Sequence, residues 1–130
     1  MDKKESKKVF KNSKYLDNFF NFIKVTVFFV MLMMANEIFL KKVFVEYFDF
    51  LRMIDHLLAG VYIPIAVYFI LNNIVIGSVY YITWCTYWEL KQLLERGFFQ
   101  TEQYLFDIMG VVIAVIFVCI WCKKRKKSIV

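Results

Sequence analysis

The stretch from Leu57 to Trp88 contains no charged residue, and it constrains the fold more than any other feature of the chain. A helix rises about 1.5 Å per residue, so one helix of this length would measure roughly 48 Å. The apolar core of a bilayer is only about 30 Å thick. Asn72 and Asn73 lie at the middle of the stretch. We therefore predict two membrane helices, over 54–72 and 74–93, joined by a turn at these asparagines.

The composition extends this prediction to the rest of the chain. Hydrophobic residues make up 61% of the 130 residues, against roughly 45–50% in a soluble domain. Two further apolar segments predict a first helix over 18–38 and a fourth over 104–122, with a polar loop over 94–103. The length corresponds to one domain. The sequence thus predicts an all-α membrane domain over residues 15–122.

Between the first and second predicted helices, charged residues recur mostly every three or four positions from Glu37 to Asp55. This spacing places them on one stripe of a helix. The pattern predicts an amphipathic helix over 37–55 that lies in the membrane interface, or else a continuation of the first helix past the bilayer.

Basic residues are concentrated at the two ends, in segments 1–14 and 123–130. Basic flanks favour the cytoplasmic side, so we predict that both termini are cytoplasmic, which requires an even number of crossings. Four transmembrane helices in the plasma membrane meet this requirement. The expected partners are the lipid bilayer and, for the basic tails, anionic lipid headgroups. We expect segment 1–14 to be disordered or to lie on these headgroups.

Nucleic acid is not an expected partner of the basic tails. The aromatic residues lie in the apolar segments instead of among the basic residues, where they could stack on bases. Binding of the tails to anionic lipid is therefore the simpler explanation of their charge.

In this topology, several polar residues gather at the outer membrane rim. Ionisable groups at that depth are costly unless paired, which makes them candidates for binding a small or lipid-linked ligand. They could also hold a divalent metal, share a proton or act as acid and base, or they could form a purely structural cluster. The candidates are His56, Glu89, Asp107, Gln92 and Glu37.

No catalytic residue can be assigned from the sequence. There is no glycine-rich phosphate loop, no nucleophile elbow and no His-Glu-x-x-His motif. His56 is the only histidine, whereas zinc catalysis normally uses three protein ligands. We therefore assign no metal and no cofactor, and whether the chain is an enzyme stays open.

Three short motifs over roughly residues 50–118 occur in an order that resembles small bacterial VanZ-like and YjdF-like membrane proteins. The motifs are His56-x-x-x-Gly60, Tyr87-Trp88-Glu89-Leu90 and Gln103-Tyr104-Leu105-Phe106-Asp107-x-x-Gly110. The resemblance implies a cell-envelope membrane protein, in VanZ's case one associated with resistance to a glycopeptide antibiotic. Those families tend to place an acidic residue four positions before the histidine, where this chain has Arg52.

Two other classes of function fit the same features. The basic tails, the small size and the amphipathic helix predicted over 37–55 are typical of a non-enzymatic membrane subunit, assembly factor or holin-like homo-oligomer. In that case we expect changes to the tails or to the face of Gly77 and Ser78 to abolish function. A channel or transporter subunit is the third class, and four helices would then have to oligomerise to form a pore.

Overall fold

The computed structural model describes the backbone of residues 3–127 and the side chains of residues 15–125. Every regular element in this part of the chain is helical, as predicted. The elements are α1 (Lys3–Met34), a π-helix (Ala35–Leu40), the single turn α2 (Lys41–Val43), a 3-10 turn (Val45–Tyr47), α3 (Phe48–Leu71), α4 (Ile74–Arg96) and α5 (Thr101–Lys127).

Helix α3 is the centre of the arrangement. It packs against α1, α4 and α5, and α4 and α5 also pack against each other. One apolar cluster joins α3 to α5 through Ile65, Phe69, Ala114 and Val118. A second cluster joins α4 to α5 and includes Tyr81, Cys85 and Val111. The site described below lies beside this second cluster.

Two glycines allow α3 and α5 to cross with their backbones in contact. A Cβ atom on Gly60 would collide with the carbonyl oxygen of Asp107, and one on Gly110 would collide with the backbone of Leu57 and Gly60. Small residues at such crossings let membrane helices approach closely. Because Gly60 lies one turn after His56, the crossing holds His56 and Asp107 next to each other.

The predicted turn between the two central helices is confirmed. Asn72 ends α3 in the left-handed conformation, with φ at 55°, which asparagine tolerates better than most residues. The side chain of Asn73 caps α4 by accepting from the backbone N–H groups of Val75 and Ile76, at 3.0 and 3.3 Å. The two asparagines therefore fold the uncharged stretch into a hairpin.

The predicted single amphipathic helix over 37–55 is wrong, and the alternative, a continuation of the first helix, holds only as far as Val43. The chain leaves α1 through the π-helix, breaks at Phe44 (φ −111°, ψ 61°) and enters α3 at Phe48. Lys41 forms ion pairs with Glu37 and Asp55, which belong to different segments. Of the polar stripe, only Lys41 and Asp55 pair between segments, while most of its other members are exposed.

Helix α1 begins at Lys3, so the first of the two alternatives for the basic segment, disorder, is wrong from there on. Lysine is a good helix former, and adding residues to an existing helix is easier than starting one. The predicted binding of lipid headgroups concerns mainly the side chains of 1–14 and 126–130, outside the described residues.

Within the described residues, three helical stretches are long and apolar enough to cross a membrane: Tyr15–Val43, Val45–Leu71 and Thr101–Arg125. Only 11% of the most apolar window of the first is buried inside the protein. Apolar surface exposed on this scale is compatible with a membrane-embedded protein. Helix α4 is outside this group, so the four-crossing topology and the side of the termini stay predictions.

Candidate functional site

The carboxylate of Asp107 joins three helices. Asp107 lies on α5 and is only 3% exposed. The hydroxyl of Tyr81 on α4 donates a hydrogen bond to Oδ1 at 2.6 Å. Nδ1 of His56 on α3 lies 3.1 Å from Oδ2. Both carboxylate oxygens therefore have partners, as a buried charged group requires.

The side chain of Gln103 determines the hydrogen-bonding state of His56. The amide orientation that satisfies its neighbours directs its nitrogen to Nε2 of His56 at 2.9 Å. Its oxygen then accepts from Nε and Nη2 of Arg52, at 2.9 and 2.8 Å. Because Nε2 accepts a hydrogen bond, the ring proton is on Nδ1 and is donated to Asp107. In this arrangement both nitrogens of the imidazole have partners.

A second polar network joins the π-helix to α3. Nζ of Lys41 lies 2.6 Å from Oδ2 of Asp55, and Lys41 also pairs with Glu37. Nδ2 of Asn36 donates to Oδ1 of Asp55 at 2.6 Å and to the carbonyl oxygen of Leu51 at 2.8 Å. Short π-helical segments are frequent at functional sites, and this one contributes the buried side chain of Asn36 to the network.

Glu89 is the most deeply buried charged side chain of the described residues, with 1% of its surface exposed. Its Oε2 accepts from the backbone N–H of Gln100, in the α4–α5 loop, at 3.0 Å. The hydrogen bonds of the described residues supply no donor to Oε1. One turn further along α4, Oε1 of the buried Gln92 also has no donor.

A cavity of about 430 Å³ lies between these groups, and we call it the acidic cavity. Its polar lining includes Asp55, His56, Tyr81, Glu89 and Asp107. The apolar lining includes Ala59, Ile63, Trp84 and Trp88. The two tryptophans are 54% and 44% exposed, so they lie at the mouth of the cavity. Because α1 and α4 both pack on α3 without extensive contact with each other, the mouth opens between them.

A second cavity, of about 450 Å³, lies on the other side of the same polar network. Arg52, Gln100 and Gln103 line it. Gln103 also contacts His56, which lines the acidic cavity. The hydrogen bond between Gln103 and His56 therefore connects the linings of the two cavities.

The structure brings together three of the five candidates from the sequence. His56, Glu89 and Asp107 all line the acidic cavity, and His56 contacts Asp107 directly. Gln92 is buried but outside the lining. The side chain of Glu37 is 60% exposed and contacts the site only through Lys41.

Sequence reasoning missed Tyr81, Asp55, Lys41 and Gln103. A signal for Tyr81 was present, because Tyr81, Cys85, Glu89 and Gln92 follow one another at intervals of three or four residues on α4. All four are buried. The contacts of Lys41 and Gln103 depend on tertiary packing and have no comparable signal in the sequence.

The site does not have the arrangement of a metal centre. Among the described side chains, no group of three His, Cys, Asp or Glu residues could hold a metal ion.

No family model, curated protein or solved structure matches this chain.

Proposed function

We propose that the protein is a four-span membrane protein that binds a small or lipid-linked amphiphile in the acidic cavity. One observation carries this proposal: His56, Glu89 and Asp107 are distant in sequence but line a single cavity that also has an apolar wall. Binding pockets for small molecules commonly combine an apolar lining with a few converging polar groups. An amphiphile would place its chain against the apolar wall and its head against the acidic lining.

The mouth of the cavity supports entry from the lipid. The indole rings of Trp84 and Trp88 lie at this mouth, between α1 and α4. Tryptophan favours the level of the lipid headgroups because its ring combines an apolar body with a polar N–H. A lipid-linked molecule would pass between α1 and α4 without leaving the bilayer.

Two observations support four crossings. Nη1 of Arg125 lies 3.5 Å from Oδ1 of Asn18, so the first turns of the described part of α1 and the end of α5 lie at the same end of the protein. Helix α4 has 23 residues and is roughly 35 Å long, enough to cross the bilayer core. Its lower hydropathy comes mainly from the charged and amide residues of its last two turns, Glu89, Lys91, Gln92, Glu95 and Arg96. The tyrosines and tryptophans that precede them suit the membrane interface.

The residues that carry the VanZ-like resemblance also lie in the cavity lining and at the glycine crossing. The three motifs contribute the acidic side chains Glu89 and Asp107, the histidine that contacts Asp107, and the glycine crossing beside them. This grouping supports a shared site and, with it, a role in the bacterial cell envelope.

The packing of α3 against α4 disfavours the face of Gly77 and Ser78 as the contact surface of a holin-like homo-oligomer. A Cβ atom on Gly77 would lie 2.9 Å from the carbonyl oxygen of Pro64, and both Gly77 and Ser78 are buried. Since α3 occupies this face of α4, a homo-oligomer would have to form through a different surface.

Filling the cavity tests the proposal. The Ala59→Phe variant adds a phenyl ring to the lining, while Val112→Phe adds the same ring to the exposed side of α5 and serves as the matched control. The full chain is placed in phosphatidylcholine nanodiscs and titrated with 1-dodecanol, with the tryptophan fluorescence as the readout. We expect Ala59→Phe to weaken binding about tenfold or more, and Val112→Phe to leave it unchanged. Equal binding by all three proteins would refute the proposal.

A further inference from the structure

We propose that the head of the bound amphiphile is a protonated primary amine and that Glu89 is its counter-ion. This inference rests on the proposed ligand-binding function and specifies the chemical class of the ligand. It follows from the charges and the unused hydrogen-bonding groups around the acidic cavity.

The lining has three carboxylates and no lysine or arginine. Two of the carboxylates are already satisfied by the protein. Asp55 uses its oxygens for Lys41 and Asn36, and Asp107 uses its oxygens for His56 and Tyr81. His56 makes hydrogen bonds to Asp107 and Gln103 through its two ring nitrogens, so neither nitrogen donates to Glu89.

Glu89 is the remaining carboxylate. It is 1% exposed, and its hydrogen bond comes from one neutral backbone N–H, that of Gln100. A buried carboxylate loses its hydration and needs a positive partner to recover that loss. Because Glu89 lines the cavity, a cation bound there would supply this partner.

The unused polar atoms beside Asp55 and Glu89 are also acceptors. Oδ1 of Asn36 and Oε1 of Gln92 are buried without donors, and both residues lie behind the cavity lining, next to Asp55 and Glu89 respectively. A primary ammonium group brings three N–H donors, whereas a quaternary ammonium group brings none. The ring of Trp84 at the mouth offers an additional cation–π contact to an amine.

Two neighbouring features are consistent with an organic cation from the ligand. Lys91 is outside the lining: its ammonium lies 5.4 Å from the centroid of the Trp88 ring and 3.7 Å from Glu95. No three described His, Cys, Asp or Glu side chains could hold a metal ion. The apolar wall beside the carboxylates suits an alkyl chain attached to the amine.

The experiment compares two probes that have the same dodecyl chain but different head groups. Dodecylamine is protonated at pH 7, and 1-dodecanol is uncharged. Both are titrated into the full chain in phosphatidylcholine nanodiscs, with tryptophan fluorescence as the readout, because Trp84 and Trp88 line the cavity. We expect dodecylamine to bind at least about tenfold more tightly than dodecanol.

Variants of two glutamates on α4 then identify the residue that causes the preference for dodecylamine. Glu89→Gln keeps an acceptor for the N–H of Gln100 but removes the charge, so the preference for dodecylamine is expected to disappear. Glu95→Gln removes a charge from an exposed position on the same helix and is expected to keep the preference. A preference that survives in Glu89→Gln would assign the cation to a different group and overturn the inference.

The two proposals fail in different ways. If wild-type protein binds both probes equally and Ala59→Phe weakens both, the cavity binds amphiphiles but the amine is wrong. If Ala59→Phe changes neither probe, the ligand-binding function is wrong as well. The comparison of probes on the wild-type protein needs no variant, so equal binding of both probes would refute the amine head even if Glu89→Gln fails to fold.

Discussion

Gly60 and Gly110 hold the backbones of α3 and α5 in contact one helical turn from the hydrogen bond between His56 and Asp107. A side chain on either glycine would meet backbone atoms of the opposite helix, which cannot turn away as a flexible side chain could. The distance between the helix axes at this point therefore determines whether the imidazole of His56 reaches the carboxylate of Asp107.

We expect the Gly110→Ala substitution to destabilise the protein. Alanine favours a helix by about 1 kcal/mol relative to glycine, whereas inserting a methyl group into a tight backbone contact typically costs about 1–3 kcal/mol. The contact should dominate, since the added Cβ would meet the carbonyl of Leu57 and the backbone of Gly60. The measurement is the free energy of unfolding in detergent. Val112→Ala, at an exposed position on α5, is the control and should stay within about 0.5 kcal/mol of wild type.

The glycine crossing also explains which parts of the fold the sequence could predict. The hairpin at Asn72 and Asn73 was predictable because an uncharged stretch of this length exceeds the bilayer and the asparagines offer a turn and a cap. The approach of His56 and Glu89 followed from that hairpin, because it returns the two ends of the stretch to one end of the protein, and the short loop between α4 and α5 adds Asp107. Both features depend on local chemistry and on chain length.

The connection between α1 and α3 could not be predicted in the same way. A repeat of three or four residues indicates a helix, but it does not reveal a break within the repeat. The π-helix and the break at Phe44 allow Lys41 to reach Asp55. The sequence shows that both residues are charged, but it does not show that they pair, because the pairing is a tertiary contact between segments.

Tyr81 provides a direct test of the network around Asp107. Tyr81→Phe removes the hydroxyl that donates to Oδ1 and leaves a buried carboxylate oxygen without a donor. We expect a loss of about 1–3 kcal/mol in the free energy of unfolding. Tyr80→Phe is a matched control, because Tyr80 is the preceding residue on α4 and is 61% exposed. Equal stability of the two variants would contradict the assigned role of Tyr81.

The ion pair between Lys41 and Asp55 should be sensitive to the removal of one partner. The side chains are 8% and 17% exposed, so Lys41→Met would leave the carboxylate of Asp55 buried without a cation. We expect a loss on the order of 3 kcal/mol in the free energy of unfolding. Combining Lys41→Met with Asp55→Asn should recover part of this loss, since the uncompensated charge is then absent.

Lys42→Met is the control for this cycle. Lys42 is adjacent to Lys41 in sequence but is exposed, so its removal should change the free energy of unfolding by less than about 1 kcal/mol. A double variant that is as unstable as Lys41→Met alone would show that Asp55 does not depend on Lys41 for its charge compensation.

Labelling of introduced cysteines distinguishes a topology with four crossings from one with three. If α4 crosses the bilayer, the α4–α5 loop and the α1–α3 connection lie outside, and the end of α5 lies inside. We expect an impermeant maleimide to label Glu46→Cys and Glu102→Cys in intact cells, and Lys124→Cys only after permeabilisation. All three positions are exposed, and the native cysteines would first be replaced by alanine. With three crossings, Glu102→Cys would be protected and Lys124→Cys labelled in intact cells, while Glu46→Cys would remain accessible as the internal control.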